Sequence, residues 1–142
     1  MIPHGKTAAG WAIVFVCGMI LFSGCSVPTF LTLYNHSGVD LTFYTTSRTY
    51  QLNNNGYVTL KYPPSVMIKN NDGSRTWEYK IIYPPGKFYH PIFPKSSEYE
   101  VFGQIEPSGS IYVVKPNLSL PVRELPPQPS GFPIIPIERQ PR

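Results

Sequence analysis

From residue 29 to residue 114, hydrophobic and polar positions alternate in short runs that end in Asn, Gly, Pro or Ser. A period of two puts apolar side chains on one face of a strand, and no window sustains the 3.6-residue period of an amphipathic helix. Phe30-Leu31-Thr32-Leu33-Tyr34 and Val39-Asp40-Leu41-Thr42-Phe43-Tyr44 flank Asn35-His36-Ser37-Gly38, a hairpin pattern with Gly38 available for a positive φ. Asn53-Asn54-Asn55-Gly56 introduces Tyr57-Val58-Thr59-Leu60-Lys61-Tyr62, and Asn55-Gly56 is the dipeptide that a two-residue hairpin turn prefers. Val66–Lys69 leads through Asn70-Asn71-Asp72-Gly73 into Thr76–Tyr83, the longest alternating run. Tyr99–Ile105 and Ile111–Val114 are joined by Glu106-Pro107-Ser108-Gly109. The Pro-interrupted stretch from Pro84 to Pro94 suits an edge or a loop, because Pro cannot donate to a sheet ladder.

Short strands at spacings near ten residues predict an all-β fold: a small antiparallel β-sandwich or partly open barrel of six to eight strands. The alternation turns Leu31, Leu33, Val39, Leu41, Phe43, Val58 and Leu60 inward from the first half. From the second half it turns Trp77, Tyr79, Ile81, Val101, Ile105, Ile111 and Val113 inward. Each contributes about 1.5–3 kcal/mol when fully buried, enough for a core that needs no metal.

Composition narrows this further. Of 142 residues, 17 are Pro and 11 Gly, which excludes a helical bundle, while an aromatic content of 14% excludes a wholly disordered chain. Twelve Lys and Arg stand against 8 Asp and Glu, scattered singly, so there is no basic track for a nucleic-acid backbone and nucleic acid is not an expected partner.

Residues 1–24 have the layout of an export signal. Lys6 precedes an apolar stretch, Trp11–Phe22, that falls short of the roughly 20 residues needed to span hydrocarbon, and small Ser23-Gly24 precedes Cys25. The run Leu21-Phe22-Ser23-Gly24-Cys25 resembles the lipobox of bacterial lipoproteins, with Phe22 where that motif usually has Leu. The resemblance implies cleavage after Gly24, acylation of the Cys25 thiol and attachment to a membrane through the N-terminal lipid. Ser26 after the lipidated cysteine implies sorting to the outer membrane, facing the periplasm. Cysteine usage agrees: with Cys17 removed in the signal, Cys25 is the only thiol left, so no intramolecular disulfide can form. Residues 25–28 then form a tether, 29–115 the β-domain and 116–142 a C-terminal segment.

That last segment carries eight Pro, which excludes long ladders and helices and favours extended chain. Gly131-Phe132-Pro133-Ile134-Ile135-Pro136-Ile137 is strongly apolar, so two readings stand: a strap over a sheet edge, or a docking peptide for another envelope protein through Phe132, Ile134 and Ile135. The other candidate binding residues are Tyr57, Tyr62 and Tyr89, since exposed tyrosines stack on sugars. They support an alternative reading as a peptidoglycan- or glycan-binding module. No nucleophile elbow, paired-histidine motif, cysteine cluster, calcium loop or phosphate loop is present, and the histidines after the signal, His36 and His90, stand beside turn residues or Pro. The sequence therefore points to a non-enzymatic, cofactor-free lipoprotein that binds a partner.

Overall fold

The computed structural model describes residues 28–63, 65–116 and 119–140, so Gly24 and Cys25 lie outside the described residues. Ten strands are present among the described residues: β1 (Phe30–Asn35), β2 (Leu41–Tyr44), β3 (Thr49–Leu52), β4 (Tyr57–Lys61), β5 (Ser65–Asn70), β6 (Thr76–Lys80), β7 (His90–Pro91), β8 (Tyr99–Ile105), β9 (Ile111–Val114) and β10 (Ile137–Arg139). The first sheet runs β4-β1-β8, with β7 and β9 one after the other along the far edge of β8; the second runs β10-β6-β5-β2-β3. Every pairing is antiparallel except β1 with β8. The two sheets form the predicted all-β sandwich, with no closed barrel. The strands not anticipated from the sequence are β3, β7 and β10, of four, two and three residues.

Twelve of the fourteen predicted core residues are buried. The register explains why: Leu31 lies between Leu60 and Val101, and Leu33 between Val58 and Gly103, all on the inner face of the first sheet. Phe43, Ile68 and Trp77 line up across the second sheet and face them. Val39 is a correction, since it is exposed in the loop before β2, and Val58 packs only partly against the core.

The hairpins expected at 30–44 and at Asn55-Gly56 are also corrections. β1 pairs with β4 and β8, whereas β2 pairs with β3 and β5, so residues 36–40 carry the chain from one sheet to the other. The Asn-Gly turn likewise links β3 of the second sheet to β4 of the first. Asn55, not Gly56, takes the positive φ of 62°, while the Gly56 N–H donates to the Asn53 carbonyl at 2.9 Å. A fully buried Asn35 side chain fastens both crossings. Its Nδ2 donates to the carbonyls of Val39, Leu52 and Asn53, and its Oδ1 accepts from the N–H and hydroxyl of Ser37. The expected turns at 70–73 and 106–109 do close hairpins, β5–β6 and β8–β9.

The C-terminal residues lie along both sheets. The Gln104 side chain alternates with inward Gly103 and Ile105 and so sits on the outer face of the first sheet, yet it is fully buried. Its amide pairs with the N–H and carbonyl of Val122 at 2.8 and 3.1 Å. Gln128 repeats the device, accepting from the Val113 N–H at 2.8 Å and donating to its carbonyl at 3.0 Å. Beyond it Ile134 bridges Ile111 with two backbone bonds of 2.9 Å, and β10 pairs with β6. The segment thus caps β9 of one sheet and β6 of the other, edges that would otherwise present unpaired backbone groups.

Candidate functional site

β1, β4, β6 and β8 all have an end on the side where residue 28 enters the domain. Thr29 is clamped there: its N–H donates to the Tyr99 carbonyl and its carbonyl accepts from the Tyr62 N–H, both at 2.8 Å. Tyr62 directly follows β4, and its hydroxyl donates to the Ile82 carbonyl at 2.7 Å. Its ring stacks on Tyr83, with centroids 4.6 Å apart and planes 20° apart. Burial pushes the Tyr62 hydroxyl well above the ordinary tyrosine range, and the neighbouring Tyr89 and Tyr83 add to the shift. Tyr89 meets Tyr99 at 6.2 Å in a tilted arrangement. Tyr83, 51% exposed, and Phe93, 67% exposed in the turn before β8, carry this aromatic group to the surface.

Basic side chains surround it. Arg48 in the β2–β3 turn, Lys61 at the end of β4, Lys80 at the end of β6 and Lys95 beside Phe93 are all exposed. A groove of about 230 Å³ opens between the 45–47 turn and Lys61, Tyr62 and Pro63. At the opposite end of the sandwich the acidic side chains are in excess: Asp40, Asp72 and Glu106 stand among Asn53, Asn54 and Asn71, with Arg75 beside Asp72.

The structure therefore brings Tyr62 and Tyr89 together but separates them from Tyr57. That residue starts β4 at the acidic end, 74% exposed and about 16 Å away at 3.3 Å per strand residue. Three tyrosines predicted from sequence are thus not one sugar platform. Tyr83 is among the tyrosines that the sequence offers for an exposed cluster, though not singled out there, whereas Tyr99 is missed, because its place beside Tyr89 depends on β8 starting at the end where β4 finishes.

The C-terminal candidates divide in the same way. Ile134 is buried and Phe132 packs against the core, whereas Ile135 and Ile137 are each 65% exposed. β10 is the outermost strand of its sheet.

The histidines lie apart. His36 Nδ1 is 3.2 Å from Glu106, whose carboxylate also accepts from Gln104 Nε2 at 2.6 Å. His90 lies edge-on to Phe102 at 5.8 Å, and its buried Nε2 has no hydrogen-bond partner among the described residues. Desolvation lowers its pKa, outweighing the opposing pull of Glu100, and Lys115 lowers it further. Among the described residues neither imidazole bonds a serine, threonine or cysteine, no group of three His, Cys, Asp or Glu could hold a metal, and no helix is long and apolar enough to cross a membrane. Compared with protein-family models, curated proteins and solved structures, the chain matches none.

Proposed function

We propose that this chain is an exported bacterial lipoprotein, held by acyl groups on Cys25 at the periplasmic face of the outer membrane, that presents its C-terminal edge to another envelope protein. The observation that carries the docking role is the exposure of Ile135 and Ile137 on a segment whose neighbours are fastened. Ile134 and Phe132 sit against the core and β10 is hydrogen-bonded to β6, so the two isoleucines are held outward at little further entropic cost. The outer edge of β10 offers unpaired backbone groups beside them, the arrangement by which an extended segment of a partner adds to a sheet. The lipobox supports the tether: two or three acyl chains at about 0.8 kcal/mol per buried methylene hold a protein on a membrane essentially permanently.

Truncation after Pro116 is a poor test, because it would also remove Ile134, Gln128 and β10. A photo-crosslinking residue at Ile135 in native membranes keeps the fold intact. A discrete adduct at 135 that is absent from the same probe at Tyr57 is the expected result. Adducts at Tyr57 and none at 135 overturn the docking edge. For the tether, Cys25→Ser should abolish acyl labelling and release the protein from the membrane fraction; labelling that persists overturns it.

A further inference from the structure

We infer that the aromatic and basic end of the sandwich is a bilayer-contact surface: Tyr83 and Phe93 seat at the headgroup level while Arg48, Lys61, Lys80 and Lys95 meet anionic lipid. This rests on the lipidated tether proposed above.

The length of chain between the lipid and the fold supplies the first reason. Three residues separate Cys25 from Thr29, and the four residue-to-residue steps between them extend at most about 14 Å. Thr29 is hydrogen-bonded into the aromatic end, to Tyr62 and Tyr99. A lipid on Cys25 therefore holds this end within about 14 Å of the interface, while the end with Tyr57 stands farther off by the length of β4, about 16 Å.

The second reason is the chemistry of what is held there. A tyrosine ring with one face on protein and the other open suits the headgroup region, where its apolar body and polar tip are both satisfied, and an exposed phenylalanine ring beside it adds apolar area to bury there. Tyr83 is fixed against Tyr62, so its ring is positioned before contact, and Phe93 is presented by a turn in which the Ser96 N–H donates to the Phe93 carbonyl at 2.9 Å. Four exposed cations lie at this end, with Glu98 the exposed carboxylate of the 92–98 turn, whereas at the far end Asp40, Asp72 and Glu106 outnumber Arg75. An anionic surface attracts this end and repels the other, and each basic residue near such a surface is worth about a fivefold gain in binding. The charge dipole and the tether thus select the same orientation.

The chemistry of Cys25 makes the test clean. In the mature lipidated protein that thiol is blocked, so Phe93→Cys and Tyr57→Cys each give one labelling site for an environment-sensitive fluorophore. The proteins, purified from membranes, are reconstituted in vesicles of phosphatidylethanolamine with phosphatidylglycerol that contain a lipid quencher placed near the headgroup. The expected result is strong quenching at 93 and none at 57. Quenching at 93 should fall when Lys61→Glu and Lys95→Glu are added and when salt shortens the Debye length from about 10 Å to about 3 Å. A blocked wild-type thiol with equal, weak quenching at both positions overturns the contact surface and leaves the tether standing. So does protection of the 93 label by isolated peptidoglycan in place of lipid. A wild-type thiol that reacts stoichiometrically overturns the tether and this surface with it.

Discussion

Replacing Asn35 with alanine removes five hydrogen bonds at the corner where the chain passes between the sheets. The carbonyls are partly compensated, because Val39 still accepts from the Ser37 hydroxyl at 3.1 Å and Asn53 from the Gly56 N–H at 2.9 Å. The buried Ser37 N–H loses its acceptor, at about 1–3 kcal/mol, and each bond lost elsewhere adds at most about 1 kcal/mol, so the variant should be less stable by about 3 kcal/mol. At about 4 °C per kcal/mol for a domain of this size, the melting temperature falls by about 12 °C. Asn35→Asp separates hydrogen bonding from shape. It keeps the acceptor for Ser37 but turns a carboxylate towards three carbonyls, a buried uncompensated charge that costs about 3–5 kcal/mol. At neutral pH the order of stability should be wild type, Asn35→Ala, Asn35→Asp. Burial raises the pKa of the new carboxyl, so protonation on acidification narrows the deficit of Asn35→Asp. Urea unfolding at two pH values measures all of this. An alanine variant within 1 kcal/mol of wild type, or an aspartate variant more stable than alanine at neutral pH, would refute the role given to Asn35.

Two further outcomes follow from local geometry. Gly109 has a φ of +83°, and a Cβ there would lie 2.7 Å from the buried Trp77 indole and 3.0 Å from Pro136; Gly38, at +88°, has nothing within 4 Å. Gly109→Ala should therefore cost about 2–4 kcal/mol and Gly38→Ala only the backbone part, about 1 kcal/mol, and equal losses in denaturant titration would contradict the packing at Gly109. His90 is held neutral by a pKa below its ordinary 6.5, so the unfolded chain binds more protons than the folded one just below that pH. Stability contributed at this site is complete above pH 6.5 and declines as pH falls towards the lowered value; His90→Gln should flatten that slope relative to wild type, and parallel pH profiles would exclude the effect.

Burial was legible along the chain because a strand's two faces are a local property. Whichever neighbour a strand takes, its inward residues are the alternate apolar ones, so Leu31, Leu33, Leu41, Phe43, Trp77 and Tyr79 reach the core as the pattern requires. The turns at Gly73 and Gly109 were legible for the same reason: each closes on a carbonyl three residues back. Pairing is different. In a sandwich both sheets bury the same kind of face, so nothing in the period-two pattern distinguishes a hairpin from a step to the opposite sheet. The 36–40 segment and the Asn55-Gly56 turn became crossings because Asn35 finds acceptors at the end of β3 and just beyond it, 17 and 18 residues away, contacts that exist only once the sheets stack. Gln104 and Gln128, which read as ordinary polar residues, attach the C-terminal segment by completing backbone pairs on Val122 and Val113. The aromatic end was likewise settled by strand direction. β4 carries Tyr57 to one end and Tyr62 to the other; pairing within the first sheet brings Tyr89 and Tyr99 to the second end, and the packing of the two sheets brings Tyr83.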